Sequence, residues 1–312
     1  MTLDNIINNI SQSQSPHDKG ALFETLCLYF LRHDKFYMSR FDNLWLWKDW
    51  PGNHNKHDTG IDIIAKLRDS DSYCAIQCKF RDDSGCVTKS EIDSFLSASS
   101  KVIYSERIII STIELGRNAL DALEGQAIPV TLLTLERLEH SGINWDSFSF
   151  DNLDEVQYIH KTLLEHQEQA VTQVIEKFHS HSRGKLIMAC GTGKTFTSLK
   201  IAQRLAGRGG LVIVLVPSIS LLNQSILAWN SDRDEDINMH SFAVCFDKTV
   251  GRKDYPDEDL KISPLSFRNC LIFAEYSELQ KSDRDSYSSD TAQERTQLDV
   301  YGQYPSSAAG NG

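Results

Sequence analysis

Two groups of residues in this 312-residue chain have the types and spacing to do chemistry. The first is Met188-Ala-Cys-Gly-Thr-Gly-Lys-Thr195. Gly191 and Gly193, with Thr192 between them, let backbone N–H groups approach an anion closely, and a helix starting there adds the positive end of its dipole. Lys194 supplies a point charge for the β- and γ-phosphates of ATP, and Thr195 a hydroxyl for Mg2+. The strict form of such a loop begins with Gly, where this chain has Met188. A chance glycine turn is the bland alternative, and the order strand, loop, helix argues against it. The second group is Gly60-Ile61-Asp62 and Gln77-Cys78-Lys79. Asp62 and Gln77 are 15 positions apart, room for two strands and a turn. A hairpin of that length brings Asp62, Gln77 and Lys79 to one end, with Gln77 and Lys79 on one face. A carboxylate and an amide oxygen can ligate Mg2+, a hard cation. A neighbouring Lys can stabilise an attacking hydroxide and a pentavalent phosphate. Glu24 is a candidate for a further metal contact. On spacing alone, solvated charges at strand ends explain the same residues.

The elements that must position these groups are legible as periodicity. Residues 1–18 read as a flexible leader, rich in Asn, Ser and Gln up to residue 15. From Lys19 to about Arg32, Leu22, Phe23, Leu26, Tyr29 and Phe30 recur at helical spacing. Strands are expected at Leu44–Trp47, Ile61–Leu67 and Tyr73–Phe80, a helix from Thr88 to Ala98, a strand at Arg107–Ser111, a helix at Leu115–Leu123 and a strand at Ile128–Leu133. This is a mixed α/β domain over 19–150. Around Ser147 to Glu155 the pattern turns polar, and a second domain over 151–265 follows. Its strands and helices alternate: helix 166–178, strand 185–189, the glycine loop, helix 194–206, strand 211–216 and helix 218–229. That alternation implies a parallel, doubly wound sheet. Residues 266–312 are poor in apolar anchors, Leu298 and Val300 being exceptions, and read as a tail of low order.

Composition sets bounds. The length suits about two domains, and 40% hydrophobic residues suit a packed core. A net charge of −11 argues against affinity from a broad basic surface, though not against a local positive groove. No signal peptide or membrane-spanning run is evident, so a cytoplasmic protein is expected, with no membrane partner. Seven cysteines, an odd number, suggest reduced thiols. Cys74, Cys78 and Cys86 lack zinc-site spacing and read as small apolar side chains. His54, His57 and Asp58 read as a solvated loop, and Trp45, Trp47 and Trp50 as core.

Two resemblances sharpen this reading. Leu164-Glu165-His166-Gln167, the glycine loop, and Val214-Leu215-Val216-Pro217-Ser218 on to Gln224 resemble the adenine-reading Gln segment, motif I and motif Ia of superfamily 2 helicases. That resemblance implies that Gln167 reads adenine and that Pro217 and Ser218 lie near the DNA backbone. Lys19-Gly20 through Glu24, Thr59-Gly60-Ile61-Asp62, Ala75-Ile76-Gln77-Cys78-Lys79-Phe80 and Ile92-Asp93-Ser94-Phe95 resemble the PD-(D/E)xK nucleases, in the Mrr-like branch where Gln replaces the second acid. That resemblance implies Mg2+-dependent cleavage of double-stranded DNA through Asp62, Gln77, Lys79 and Glu24.

Nuclease first and motor second is similar to the Type ISP restriction–modification enzymes, in which cutting is coupled to ATP-driven translocation. A motor needs an apolar strand ending in Asp-Glu. Leu271-Ile272-Phe273-Ala274-Glu275 comes closest, with Ala274 in the Asp position, whereas Asp257-Glu258-Asp259 follows Tyr255-Pro256. The expectation is an N-terminal fragment of such an enzyme, with a tail after about Leu265 unrelated to it and doubtful ATP turnover. The alternative is a truncated remnant that binds nucleotide or DNA without turning either over. A small-molecule kinase would use the same loop but leave the first domain unexplained. Nothing in the sequence specifies a recognition site or an oligomeric state.

Overall fold

The structure is a computed structural model that describes residues 2–53, 60–68, 70–82, 85–207, 210–216, 219–237, 239–244, 270–275 and 297–301. His54, His57, Asp58, Pro217, Ser218 and the Asp257-Glu258-Asp259 run lie outside the described residues. The chain divides into two compact units, Met1–Ile159 with Asp247–Leu265, and His160–Phe246 with Ser266–Gly312. Among the described residues no helix is long and apolar enough to cross a membrane.

The first unit is built on helices α1 (Leu3–Ser11), α2 (Pro16–His33) and α3 (Lys35–Arg40), then strands β1 (Phe41–Leu46), β2 (Ile63–Leu67) and β3 (Tyr73–Lys79). Helix α4 (Lys89–Ala98), β4 (Tyr104–Ser111), α5 (Arg117–Leu123), β5 (Val130–Thr134) and α6 (Leu135–Glu139) complete it. The five strands form one sheet in chain order. β1, β2 and β3 pair antiparallel, and β3, β4 and β5 pair parallel. The sheet is therefore mixed, as the sequence pattern implies. Trp47 and Trp50 are buried with Ile64, Ala75, Phe95 and Ile109 in one core cluster, which Trp45 flanks. Indole rings 5.6 Å apart are packing, not an exposed stacking platform. Helix α2 packs against β1 and β3, burying Phe23, Leu26, Cys27 and Phe30.

One expectation is overturned at the N-terminus. The supposed leader contains α1, whose Leu3, Ile6 and Ile10 are buried. Their i, i+3, i+7 spacing is an amphipathic stripe that the abundant Asn and Ser residues obscure. Thr2 caps the helix by accepting from Asn5 N–H. The polar stretch near residue 150 is also tied down. Tyr29 Oη donates to Glu155 O at 3.0 Å, and Tyr158 Oη donates to His33 O at 2.8 Å. These bonds hold the stretch against α2, and the compact unit continues through Ile159.

The second unit contains α7 (Glu165–Phe178), β6 (Arg183–Ile187), α8 (Lys194–Ala206), β7 (Val212–Val216), α9 (Ile219–Asp232), β8 (His240–Val244), β9 (Cys270–Glu275) and β10 (Gln297–Tyr301). β7, β9 and β8 form a parallel sheet in that order. The expected all-parallel arrangement fails at β6, which pairs antiparallel with β10. Leu298 and Val300, two isolated anchors in the sequence, lie within this antiparallel strand β10.

Ile6 is 1% exposed. Ile6→Ala should therefore cost about 2–5 kcal/mol of stability, as buried Ile→Ala changes do. Urea unfolding measures it, and a change within about 0.5 kcal/mol, the range of surface substitutions, would mean α1 is not docked.

Candidate active site and nucleotide site

The hairpin register brings the first group together. Ile63 pairs with Ile76, so Asp62 and Gln77 follow as the next opposed positions at the strand ends. Asp62 N–H donates to Ile76 O at 2.9 Å. Beyond that bond the two residues lace the strands through their side chains. Cys78 N–H donates to Asp62 Oδ2 at 2.6 Å, and Gln77 Nε2 donates to Gly60 O at 2.9 Å. Gln77 is 1% exposed, and its Oε1 is buried with no hydrogen-bond partner among the described residues. Buried acceptors are nearly always partnered, so a leftover one at a strand end marks a place for a donor or a cation. Lys79, two residues on, is the last residue of β3 and pairs with Ser111 of β4.

Electrostatics places the remaining members. Burial raises the Cys78 thiol well above its ordinary value, helped by a hydrogen bond to the Cys27 thiol and by the negative charges of Asp62 and Glu24. Glu24, on α2, thus acts on the same thiol as Asp62. Cys78 stays neutral and is poorly suited as a nucleophile or thiolate ligand. Among the described residues no three His, Cys, Asp or Glu side chains group as a metal site. An Mg2+ ion here would rest on two acids and an amide, a hard-oxygen set that includes the orphaned Gln77 Oε1. The residues fit that ion.

The sequence reading gave no role to Glu91. Its Oε2 accepts from Thr88 N–H at 2.8 Å and from Thr88 Oγ1 at 2.7 Å, and its Oε1 accepts from Arg81 Nη1 at 2.9 Å. Burial alone would raise this carboxyl. The Thr88 bonds and the charges of Arg81 and Lys79 outweigh burial and hold it below the ordinary value. The Thr88-x-x-Glu91 capping box was the available sequence signal.

The second group assembles as a loop at a helix start. Gly191 and Gly193 have φ of +78° and +79°, a backbone that favours glycine. Lys194 Nζ donates to Ala189 O at 3.1 Å, across the loop, and Thr195 is exposed. The 13-residue α8 directs its N-terminus at the loop. Gln167 is buried beneath it. Its Nε2 donates to Thr192 O, and its Oε1 accepts from Leu164 N–H, both at 2.9 Å. A Cβ at residue 193 would collide with Gln167 Nε2. The structure thus shows Gln167 bracing the glycine loop, with both ends of its amide used inside the chain.

Comparison with known proteins matches the chain to two family models. A family model of the Mrr catalytic type, described as a restriction endonuclease, matches residues 32–155. A second, described as the res subunit of Type III restriction enzymes, matches residues 160–300. The chain carries a restriction-endonuclease domain and a helicase-like domain. It is similar to the ATP-dependent Type ISP restriction-modification enzyme LlaBIII, solved bound to DNA. The identity is 30% and the TM-score 0.71, over 88% of this chain and 18% of that one. The chain thus spans less than a fifth of that relative's length. A nuclease-deletion mutant of the Type ISP enzyme LlaGI is 32% identical over 37% of this chain and 12% of its own, at a TM-score of 0.30 that carries no fold argument. No curated protein matches the chain. The Mrr-type match begins after Glu24, so that residue rests on the resemblance of Lys19-Gly20 through Glu24 and on its charge acting on Cys78.

Glu91 gives a pH signature. A carboxyl with a depressed folded-state pKa stabilises the fold above its ordinary value of 4.5, and that contribution is lost as pH falls through the depressed value. Glu91→Gln should therefore be less stable than the parent at about pH 7, and the gap should narrow as pH falls below the ordinary carboxyl value of 4.5. Thermal melts across that range check it; parallel curves would mean the charge is not involved.

Proposed function

We propose that the first unit cleaves phosphodiester bonds of double-stranded DNA with Mg2+, and that the second binds ATP. The observation that carries the nuclease reading is the buried, unpartnered Gln77 Oε1 beside Asp62, with Lys79 two residues on. Bound there, Mg2+ would polarise the scissile phosphate and lower the pKa of water. Asp62 and Gln77 would hold it, one strand-end residue from each side of the hairpin, with Glu24 as a further carboxylate. The Cys78 N–H fixes one oxygen of the Asp62 carboxylate. Lys79 donates to the phosphate oxygens as charge builds on them. The relative solved bound to DNA supports DNA as the substrate, and the similarity to Type ISP enzymes supports coupling of cutting to ATP-driven translocation.

In the second unit, Gly191 and Gly193 open the backbone to the phosphates, and Lys194 exchanges the Ala189 carbonyl for phosphate oxygens. Thr195 offers its hydroxyl to Mg2+. Gln167 holds the loop through Thr192, and the family resemblance adds adenine recognition. β9 favours binding over turnover. It is an apolar parallel strand, but it ends in Ala274-Glu275 rather than a pair of acids.

Asp62→Ala and Lys79→Ala should each reduce Mg2+-dependent nicking of plasmid DNA to background, and the double variant should be no worse, because both act on one reacting centre. Clear cleavage by Asp62→Ala would move the site elsewhere.

Lys194→Ala should abolish ATP binding in an equilibrium titration without lowering the melting temperature, since Lys194 holds only a loop carbonyl in the free chain. Phosphate release by the parent, with or without DNA, should stay near the Lys194→Ala level. Robust DNA-stimulated release would make Glu275 a working acid.

A further inference from the structure

We propose that the Gly60 carbonyl is the positioning group that makes residue 77 a metal ligand, and that it selects an amide there over a carboxylate. The inference rests on the metal-site reading above and deepens it. A carbonyl oxygen can only accept. Lying 2.9 Å from the Gln77 side chain, Gly60 O fixes the NH2 end of the amide toward itself. The oxygen end then occupies the opposite pole, where it is buried and has no donor among the described residues. The carbonyl itself is held in place. Gly60 has φ +80°, and a Cβ there would stand 2.9 Å from Ser94 Oγ and 3.1 Å from Phe95 N, both on α4. The backbone at residue 60 is therefore seated against α4, where the space admits only glycine.

The consequence runs against simple charge counting. A carboxylate should hold a divalent cation more tightly than an amide does. At position 77 a carboxylate would set one oxygen against Gly60 O, two acceptors with no proton between them. Relieving that contact means turning the side chain away, which withdraws the other oxygen from the cation. The amide meets both demands at once: it donates to Gly60 and presents an oxygen to the ion. The Gln in this chain is then matched to its surroundings rather than a weakened acid.

The test is calorimetric titration of the full chain with Ca2+, DNA being absent. Gln77→Glu should bind Ca2+ about tenfold more weakly than the parent, the scale of one unsatisfied buried polar contact. Equal or tighter binding by Gln77→Glu, in a parent that binds Ca2+, overturns the orienting role and leaves the metal reading standing. A parent that binds no Ca2+ overturns the metal reading and this inference with it. A second measurement reads the orientation without Gln77→Glu, should that variant not fold. By NMR, one Gln side-chain NH2 of the parent should exchange slowly with solvent and be missing in Gln77→Met, which keeps the shape without the polar ends. On adding Ca2+ that NH2 should stay protected while the Gln77 Cδ resonance shifts. Loss of protection, or no shift at Cδ, overturns the proposal.

Discussion

The nuclease unit depends on the register of one hairpin. Side chains alternate across a strand, so a slip of one residue between β2 and β3 would move every side chain of one strand to the wrong face. Asp62 and Gln77 would then no longer oppose one another. Two kinds of contact hold the register. Ile63, Ile64, Ala75 and Ile76 are buried, which penalises a slip over the strands' length. At the open end, where the ladder stops, Asp62 takes the Cys78 N–H and Gln77 donates to Gly60 O. Residues suited to bind a metal are thus also the residues that finish the strand pairing. Their rigidity comes from backbone partners, which do not change rotamer.

The same economy recurs in the second unit, in a different element. Gln167 lies in the first turn of α7, and its amide bridges the backbone at Leu164 and Thr192. The glycine loop therefore has a fixed wall on one side and a helix start on the other. Two positive-φ glycines cost conformational entropy, and a buried hydrogen-bonded brace restricts what that freedom would otherwise allow. In each unit a buried Gln amide ties a glycine-bearing segment to a neighbouring element.

Much of this was legible in the sequence, for physical reasons. Strands β2, β3 and β4 are short apolar runs bounded by turn residues, and α2, α4 and α8 carry apolar residues at helical spacing. The phosphate loop has its strand and helix on either side. Other features were hidden. The stripe of α1 is only three residues deep and sits among Asn and Ser. β10 shows its alternation, but its antiparallel partner β6 is more than a hundred residues away, and no local pattern encodes such a pairing. The roles of Gly60 and Glu91 depend on carbonyl direction and on which helix end faces which strand. Spacing supplies neither. The Asp62-to-Lys79 spacing named the candidates, and only the register showed that two of them are opposed.

The net charge of −11 has to be reconciled with the polyanionic substrate proposed above. Near the end of β3, cations are present but mostly engaged: Lys19 with Asp82 and Arg81 with Glu91, at 2.6 and 2.9 Å. All four side chains retain solvent contact, between 22% and 46% of their surface. Pairs exposed to that degree contribute about 0–1 kcal/mol each. A phosphate could therefore exchange with a carboxylate at small cost, whereas a buried pair would resist. Lys79 lies near the same carboxylate, since its charge helps to hold Glu91 ionised. On the proposed function, the loosely held acids near the end of β3 are ones that a backbone phosphate can displace, although the net charge of the chain opposes DNA. Affinity arising that way would be weak, because pairs this exposed contribute little either to the fold or to what replaces them.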